Sequence, residues 1–83
     1  MEIANVINQT YNIINDIYWK YFNLNDNIDK LTKEQKYTLN ISIEHIKENL
    51  KLIKKHCDKE TCKEIIDYFN EMYNKNGIEL KGE

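Results

Sequence analysis

The chain has 83 residues, and its 12 lysines against 14 acidic residues give a formal net charge of -2 at pH 7. A chain of this length builds one small domain, and we expect residues 1–83 to form it without a deep internal cleft. No apolar stretch approaches the roughly 20 residues that a membrane-spanning helix needs. The first residues also lack the basic start and apolar run of a secretory signal, so we expect a cytoplasmic protein.

Isoleucine, asparagine and lysine dominate the composition, and the chain has no arginine and no proline. The three common residues have A/T-rich codons, which indicates a low-GC bacterium or one of its phages or plasmids. Arginine is the side chain best suited to bind phosphates and guanine edges through paired hydrogen bonds. Because the chain lacks it and has a negative net charge, we do not expect direct nucleic-acid binding.

The first predicted helix spans about residues 2–23. Apolar residues and one threonine recur at alternating steps of 4 and 3, which is typical of a helix that buries one face: Ile3, Ile7, Thr10, Ile14, Ile17, Tyr21 and Leu24. A polar connector follows, and its oxygen-bearing side chains from Asn23 to Asp29 approach the spacing of an EF-hand calcium loop. Ile28 stands where that loop requires glycine, so we expect no calcium site.

The second predicted helix spans residues 33–56. Its start carries a capping-box pattern, in which Thr32 and Gln35 satisfy each other's backbone amides. Its apolar stripe again follows steps of 4 and 3: Leu39, Ile43, Ile46, Leu50, Ile53 and Cys57.

The third predicted helix spans about residues 59–76. Either Asp58 or Thr61 caps its start, and Gly77 ends it. If Asp58 is the cap, Cys57 and Cys62 occupy the two hydrophobic-staple positions and should pack together. The three segments predict an all-α fold, an antiparallel three-helix bundle with a short C-terminal tail.

The possible metal ligands do not converge on one point. His45 and His56 lie on one helix about 16 Å apart, so they cannot share an ion. Cys57 and Cys62 lie on apolar stripes, and with His56 they would still lack a fourth zinc ligand. We expect reduced core thiols and no metal or cofactor. No phosphate-binding loop or catalytic triad pattern is present either, so we expect no enzymatic activity and no catalytic residues.

Candidate partner-binding residues lie on the first helix. Four of them follow steps of 4, 3 and 4 and so form a row along one edge: Tyr11, Asn15, Tyr18 and Phe22. Trp19 sits beside the row among asparagines, where an interface hot spot would be expected. In one alternative, Tyr18 and Phe22 belong to the core and only Trp19 and Tyr11 are accessible. In another, Trp19 lies over the following connector and is half-buried.

The second predicted helix carries more apolar surface than two neighbouring helices require. The second candidate face consists of Tyr37, Ile41, His45 and Leu52. A homodimer or another protein would cover it.

These observations favour a small protein that works by binding another protein. By analogy of size and composition, the best hypothesis is a phage or mobile-element inhibitor of a bacterial host defence or regulatory protein, such as an anti-CRISPR or an immunity protein. A host nucleic-acid-processing enzyme is one partner of that kind. The alternatives are a small helix-turn-helix transcriptional regulator and a homo-oligomeric structural or adaptor subunit.

Overall fold

The computed structural model describes residues 2–22, 30–73 and 80 of the chain. Within these residues the regular backbone is entirely helical and contains no strand. Three α-helices follow in chain order: α1 (Ile3–Ile17), α2 (Lys33–His56) and α3 (Lys59–Tyr73). The predicted all-α three-helix bundle is therefore confirmed.

The predicted helix starts are explained by their capping residues. The Thr32 hydroxyl accepts a hydrogen bond from the Gln35 amide at 3.1 Å, and the Gln35 side chain accepts one from the Thr32 amide at 2.9 Å. Of the two candidate caps for α3, the chain uses Asp58, whose carboxylate accepts from the amide of Thr61 at 3.0 Å and from its hydroxyl at 2.9 Å. These hydrogen bonds hold the pKa of Asp58 below its usual value.

Several expectations fall on parts of the chain that lie outside the described residues. These are the calcium-loop spacing between Asn23 and Asp29, the continuation of α3 over 74–76, and the Gly77 cap. Of the predicted C-terminal tail, the structure describes Leu80, which is buried in the core.

Contacts between helices fix their directions. Helix α3 runs parallel to α1, because Tyr11 and Tyr18 of α1 pack against Tyr68 and Tyr73 of α3 in the same order. Helix α2, joined to α3 by two residues, runs antiparallel to both.

The register of the helices follows from two further contacts. The Asn49 side chain of α2 donates to the Gln9 side-chain oxygen of α1 at 3.3 Å, so these antiparallel helices pair residues whose numbers sum to about 58. The Cys62 thiol of α3 lies 3.7 Å from the Leu50 carbonyl oxygen of α2. The long axis of the bundle measures 37 Å, which matches the length of about 36 Å expected for α2.

The core is built from one face of each helix. Its most deeply buried members are Val6, Ile14, Ile17, Phe22, Leu39, Ile46, Ile53, Cys62, Ile65, Phe69, Tyr73 and Leu80. The stripe predicted for α1 is slightly rotated in the structure, because Val6 is buried while Ile7 is only partly covered. Thr10 is tolerated in the core because its hydroxyl donates to the Val6 carbonyl oxygen at 2.7 Å.

The first helix does not remain α-helical to its predicted end. After Ile17 it continues as a single π-helical turn, Tyr18–Phe22. A π turn takes more residues per turn than an α turn, so it rotates Phe22 from the flank of the helix toward the core. Phe22 is fully buried, and its prediction as a partner-binding surface residue is wrong.

None of the helices among the described residues is both long and apolar enough to cross a membrane.

Candidate functional site

Helix α3 covers most of the row on α1 that was predicted to bind a partner. The Tyr11 ring packs edge-on against Tyr68, with ring centroids 5.3 Å apart. The Tyr68 hydroxyl donates to the Asn15 side-chain oxygen. Tyr18 packs edge-on against Tyr73, with centroids 6.3 Å apart. Tyr11, Asn15 and Tyr18 are all half-buried, so they join α1 to α3 and only their outer edges reach solvent.

Two tyrosines where α1 meets α3, Tyr11 and Tyr73, have raised pKa values. Burial raises the pKa of the Tyr11 hydroxyl, and the nearby Glu64 and Tyr68 raise it further. Burial also raises the pKa of Tyr73, although a hydrogen bond with the Tyr18 backbone opposes that effect. Neither hydroxyl is therefore suited to act as a base near neutral pH.

Trp19 is the residue of the predicted set that faces solvent. Its side chain is 66% exposed, and its ring touches Tyr18 edge-on with centroids 6.1 Å apart. The alternative in which Trp19 is half-buried therefore does not describe this structure. Trp19 also lies within the π turn that follows α1.

A stripe of asparagines runs along α1 and ends at Trp19. Its members follow steps of 3, 4, 3 and 4, and we call them the α1 stripe: Asn5, Asn8, Asn12, Asn15 and Trp19. The first three asparagines are exposed. From Ile3 to Asn15 the chain has no charged residue, although 31% of all its residues are charged. The regular spacing of these asparagines is a signal in the sequence itself, although it joins polar residues rather than apolar ones.

The second candidate face is only partly continuous. Tyr37 is 67% exposed and Ile41 is 52% exposed, and they lie one turn apart on α2. His45 is exposed one turn further along, whereas Leu52 is half-buried. The exposed apolar part of this face is therefore the Tyr37 and Ile41 pair.

Trp19 and the Tyr37 and Ile41 pair lie at the same end of the bundle but on different sides. The antiparallel register places Trp19 at the height of Leu39, between Tyr37 and Ile41. Trp19 belongs to the exposed face of α1, whereas Tyr37 and Ile41 belong to the exposed face of α2. The two exposed sites therefore lie on different helices.

The two cysteines meet at the corner between α2 and α3. With Asp58 as the cap they occupy the staple positions, and both are free thiols. Burial raises the pKa of Cys62, and the neighbouring Cys57 raises it further. Among the described residues, no group of three or more His, Cys, Asp or Glu side chains is arranged to hold a metal ion.

Two buried or half-buried asparagines were not anticipated from the sequence. Asn49 is buried on α2, where it reaches Gln9. Asn70 on α3 holds the backbone of Leu80 at two points, donating to its carbonyl oxygen at 3.0 Å and accepting from its amide at 2.8 Å. No spacing rule marks an asparagine for such contacts, because both depend on what packs beside it.

Known proteins give no direct statement of function for this chain. No family model, curated protein or solved structure matches it significantly. Its function has to be proposed from the exposed side chains themselves.

Proposed function

We propose that this chain is a small non-enzymatic protein that acts by binding another protein through the α1 stripe. The observation that carries the proposal is an amide-lined helix face, without charge from Ile3 to Asn15, that ends at an exposed tryptophan next to the exposed Asp16 and Lys20. The centres of protein interfaces are depleted in charged residues and enriched in aromatic ones. Carboxamides can donate and accept, so the asparagines can satisfy the polar groups of a partner around the tryptophan.

Trp19 has the properties of an interface anchor. Its large ring is 66% exposed, so binding would remove much of its surface from water. Tyr18 supports one side of the ring, and a tryptophan has only two side-chain torsions to fix. The entropic cost of placing this side chain in a partner pocket is therefore low.

The A/T-rich composition favours a partner in a low-GC bacterial cytoplasm. We propose a phage or mobile-element inhibitor of a host defence or regulatory protein, in a role like that of an anti-CRISPR or an immunity protein. The support for this part is an analogy of size and composition. A host enzyme that processes nucleic acids fits the same role, and it would be bound as a protein.

A defence-inhibition assay tests this function. The chain is expressed in a low-GC host with an active CRISPR or restriction system, and the plaquing efficiency of a targeted phage is measured. We expect the native chain to raise that efficiency and Trp19→Ala to abolish the rise. His56→Ala is the control, because His56 is exposed at the end of another helix. Equal plaquing with and without the native chain in each system would contradict the inhibitor role.

Partner binding can be tested separately from inhibition. Host proteins retained by the immobilised native chain are compared quantitatively with those retained by Trp19→Ala and by His56→Ala. We expect one retained protein to lose about 30-fold in affinity with Trp19→Ala, as for a hot spot, and to be unaffected by the control. Equal retention by both variants would show that the α1 stripe is not the binding site.

A helix-turn-helix regulator is the second candidate function. The two-residue connection between α2 and α3, Cys57 and Asp58, is short enough for such a motif. The exposed side chains of α3 have the wrong sign for DNA, with two lysines against four acids: Lys59, Glu60, Lys63, Glu64, Asp67 and Glu71. Salt-sensitive retention of duplex DNA by the purified protein would favour this function instead.

A further inference from the structure

The face of α2 opposite the core carries side chains whose charge and polarity change along the helix. We define the α2 outer face by five exposed residues, at steps of 4, 4, 3 and 4: Lys33, Tyr37, Ile41, Glu44 and Glu48. From Lys33 to Glu48, a basic residue comes first, two apolar residues follow and two acidic residues come last. The exposed Lys51 and Lys55 follow further along the same side of the helix. Lys30, exposed in the turn before the helix, adds a second positive charge at the basic end.

We propose that a second copy of this chain binds on the α2 outer face, with the two α2 helices antiparallel. A two-fold axis near Leu39 places Tyr37 of each copy against Ile41 of the other. The same operation brings Lys33 within one residue of the Glu44 of the other copy. The apolar pairs are then flanked on both sides by opposite charges, as a self-complementary interface requires.

The charge pattern selects this arrangement among pairings of the same face. A parallel pairing would set Lys33 beside Lys33 and Glu44 beside Glu44, and like charges at close range are destabilising. A foreign partner would need the same order of acidic, apolar and basic groups. The antiparallel second copy supplies that order without any further assumption.

Glu44 and Glu48 can exchange their present lysine partners for lysines of the second copy when the dimer forms. Glu44 contacts Lys47 at 3.4 Å and Glu48 contacts Lys51 at 3.5 Å, each within the same exposed helix. Ion pairs of this kind at the surface contribute little to stability. Exchanging one of them for a pair across the interface, where the apolar side chains exclude water, therefore meets little opposition.

The expected dimer is weak. A contact along a single helix pair with two apolar side chains from each copy falls below the roughly 1,200 Å² typical of stable complexes. We expect a dissociation constant for the dimer between about 10 µM and 1 mM. This inference is independent of the proposed function, because Trp19 stays exposed in the dimer, which would present two α1 stripes.

Charge exchange tests the arrangement. The molar mass of the native chain is measured by sedimentation equilibrium up to about 1 mM protein, at low and at high salt. We expect a shift toward the dimer mass that high salt reduces. Lys33→Glu and Glu44→Lys should each weaken association about tenfold, and the double variant, which keeps the native net charge, should restore it.

Other outcomes would overturn the proposal. A native chain that remains monomeric at the highest concentration contradicts it directly. If the single charge variants associate as strongly as the native chain, this register is excluded. It is also excluded if the double variant does not regain association although its circular dichroism shows a native helix content. A dimer lost with Trp19→Ala and kept with Ile41→Ser would place the interface on α1. Trp19→Ala is expected to leave the dimer intact, so this test and those of the α1 stripe can fail separately.

Discussion

The hydroxyl of Tyr73 in α3 donates a hydrogen bond to the backbone carbonyl oxygen of Ile14 in α1. Tyr73 is fully buried and packs against Phe69 and Phe22, with ring centroids 4.5 Å and 5.4 Å away. The polar end of this large core side chain is thus satisfied by the helix turn that precedes the π turn. The bond ties α3 to the part of α1 that presents Trp19.

Removing the Tyr73 hydroxyl should have an effect that depends on pH. We expect Tyr73→Phe to lower the free energy of unfolding by about 1 kcal/mol at neutral pH, through the lost hydrogen bond. Because burial raises the pKa of Tyr73, its contribution is full below the ordinary tyrosine pKa of about 10 and is lost as the pH rises above it. Urea unfolding of both proteins at pH 7.5 and 10.5 should therefore show a smaller difference at the higher pH. A difference that grows with pH would disprove this account, and Tyr37→Phe controls for tyrosine content.

Truncating Phe22 and truncating Trp19, which both lie in the π turn, should change the free energy of unfolding by very different amounts. Phe22→Ala should cost about 3–5 kcal/mol because it opens a cavity in the core. Trp19→Ala should change stability by no more than about 1 kcal/mol, because its side chain lies mostly in solvent. Denaturant titrations measure both changes. In the native chain, acrylamide should quench Trp19 fluorescence efficiently, and a shielded, unquenchable tryptophan would contradict the exposed position.

The two hydrogen bonds between the Asn70 side chain and the Leu80 backbone can be tested by two substitutions of Asn70. Asn70→Ala removes both hydrogen bonds and should cost about 1–3 kcal/mol. Asn70→Asp should cost at least as much at neutral pH, because a carboxylate oxygen would then face the Leu80 carbonyl oxygen. Protonation in acid restores a donor, so the Asp variant should recover relative to the Ala variant. Hydrogen exchange at the Leu80 amide provides the local measurement, and unchanged protection in both variants would rule out the contact.

The two thiols should differ in reactivity. Cys57 is half-buried, whereas Cys62 is buried and has a raised pKa. We expect a thiol reagent to modify Cys57 first and Cys62 slowly, because the thiolate is the reacting form. Cys57→Ala should leave only the slow phase, and Cys62→Ala should cost about 1–2 kcal/mol as a small core truncation. Equal rates for both thiols would contradict the described corner.

The sequence predicted the helices more closely than it predicted their surfaces. α2 begins and ends at the predicted residues, because Thr32 and Gln35 form a local capping box and the apolar spacing is regular. Phe22 was misplaced because a wheel of constant pitch cannot anticipate a π turn. Tyr11 was expected on an open row, but the direction from which α3 approaches depends on how all three helices pack. Spacing set Trp19 among the asparagines, outside the apolar stripe of its helix, but it left open whether the side chain is exposed or half-buried, and the 66% exposure decides between them.

The parallel packing of α1 against α3 bears on the order in which the chain folds. Neighbouring antiparallel helices such as α2 and α3 make contacts that are short-range in sequence, as between Leu50 and Cys62, 12 residues apart. The bond between Tyr73 and Ile14 spans 59 residues, so closing it costs more chain entropy than closing contacts between neighbouring helices. We infer that the seam between α1 and α3 closes after the folding transition state. Weakening it should accelerate unfolding and leave the folding rate almost unchanged, so this seam sets the lifetime of the native state.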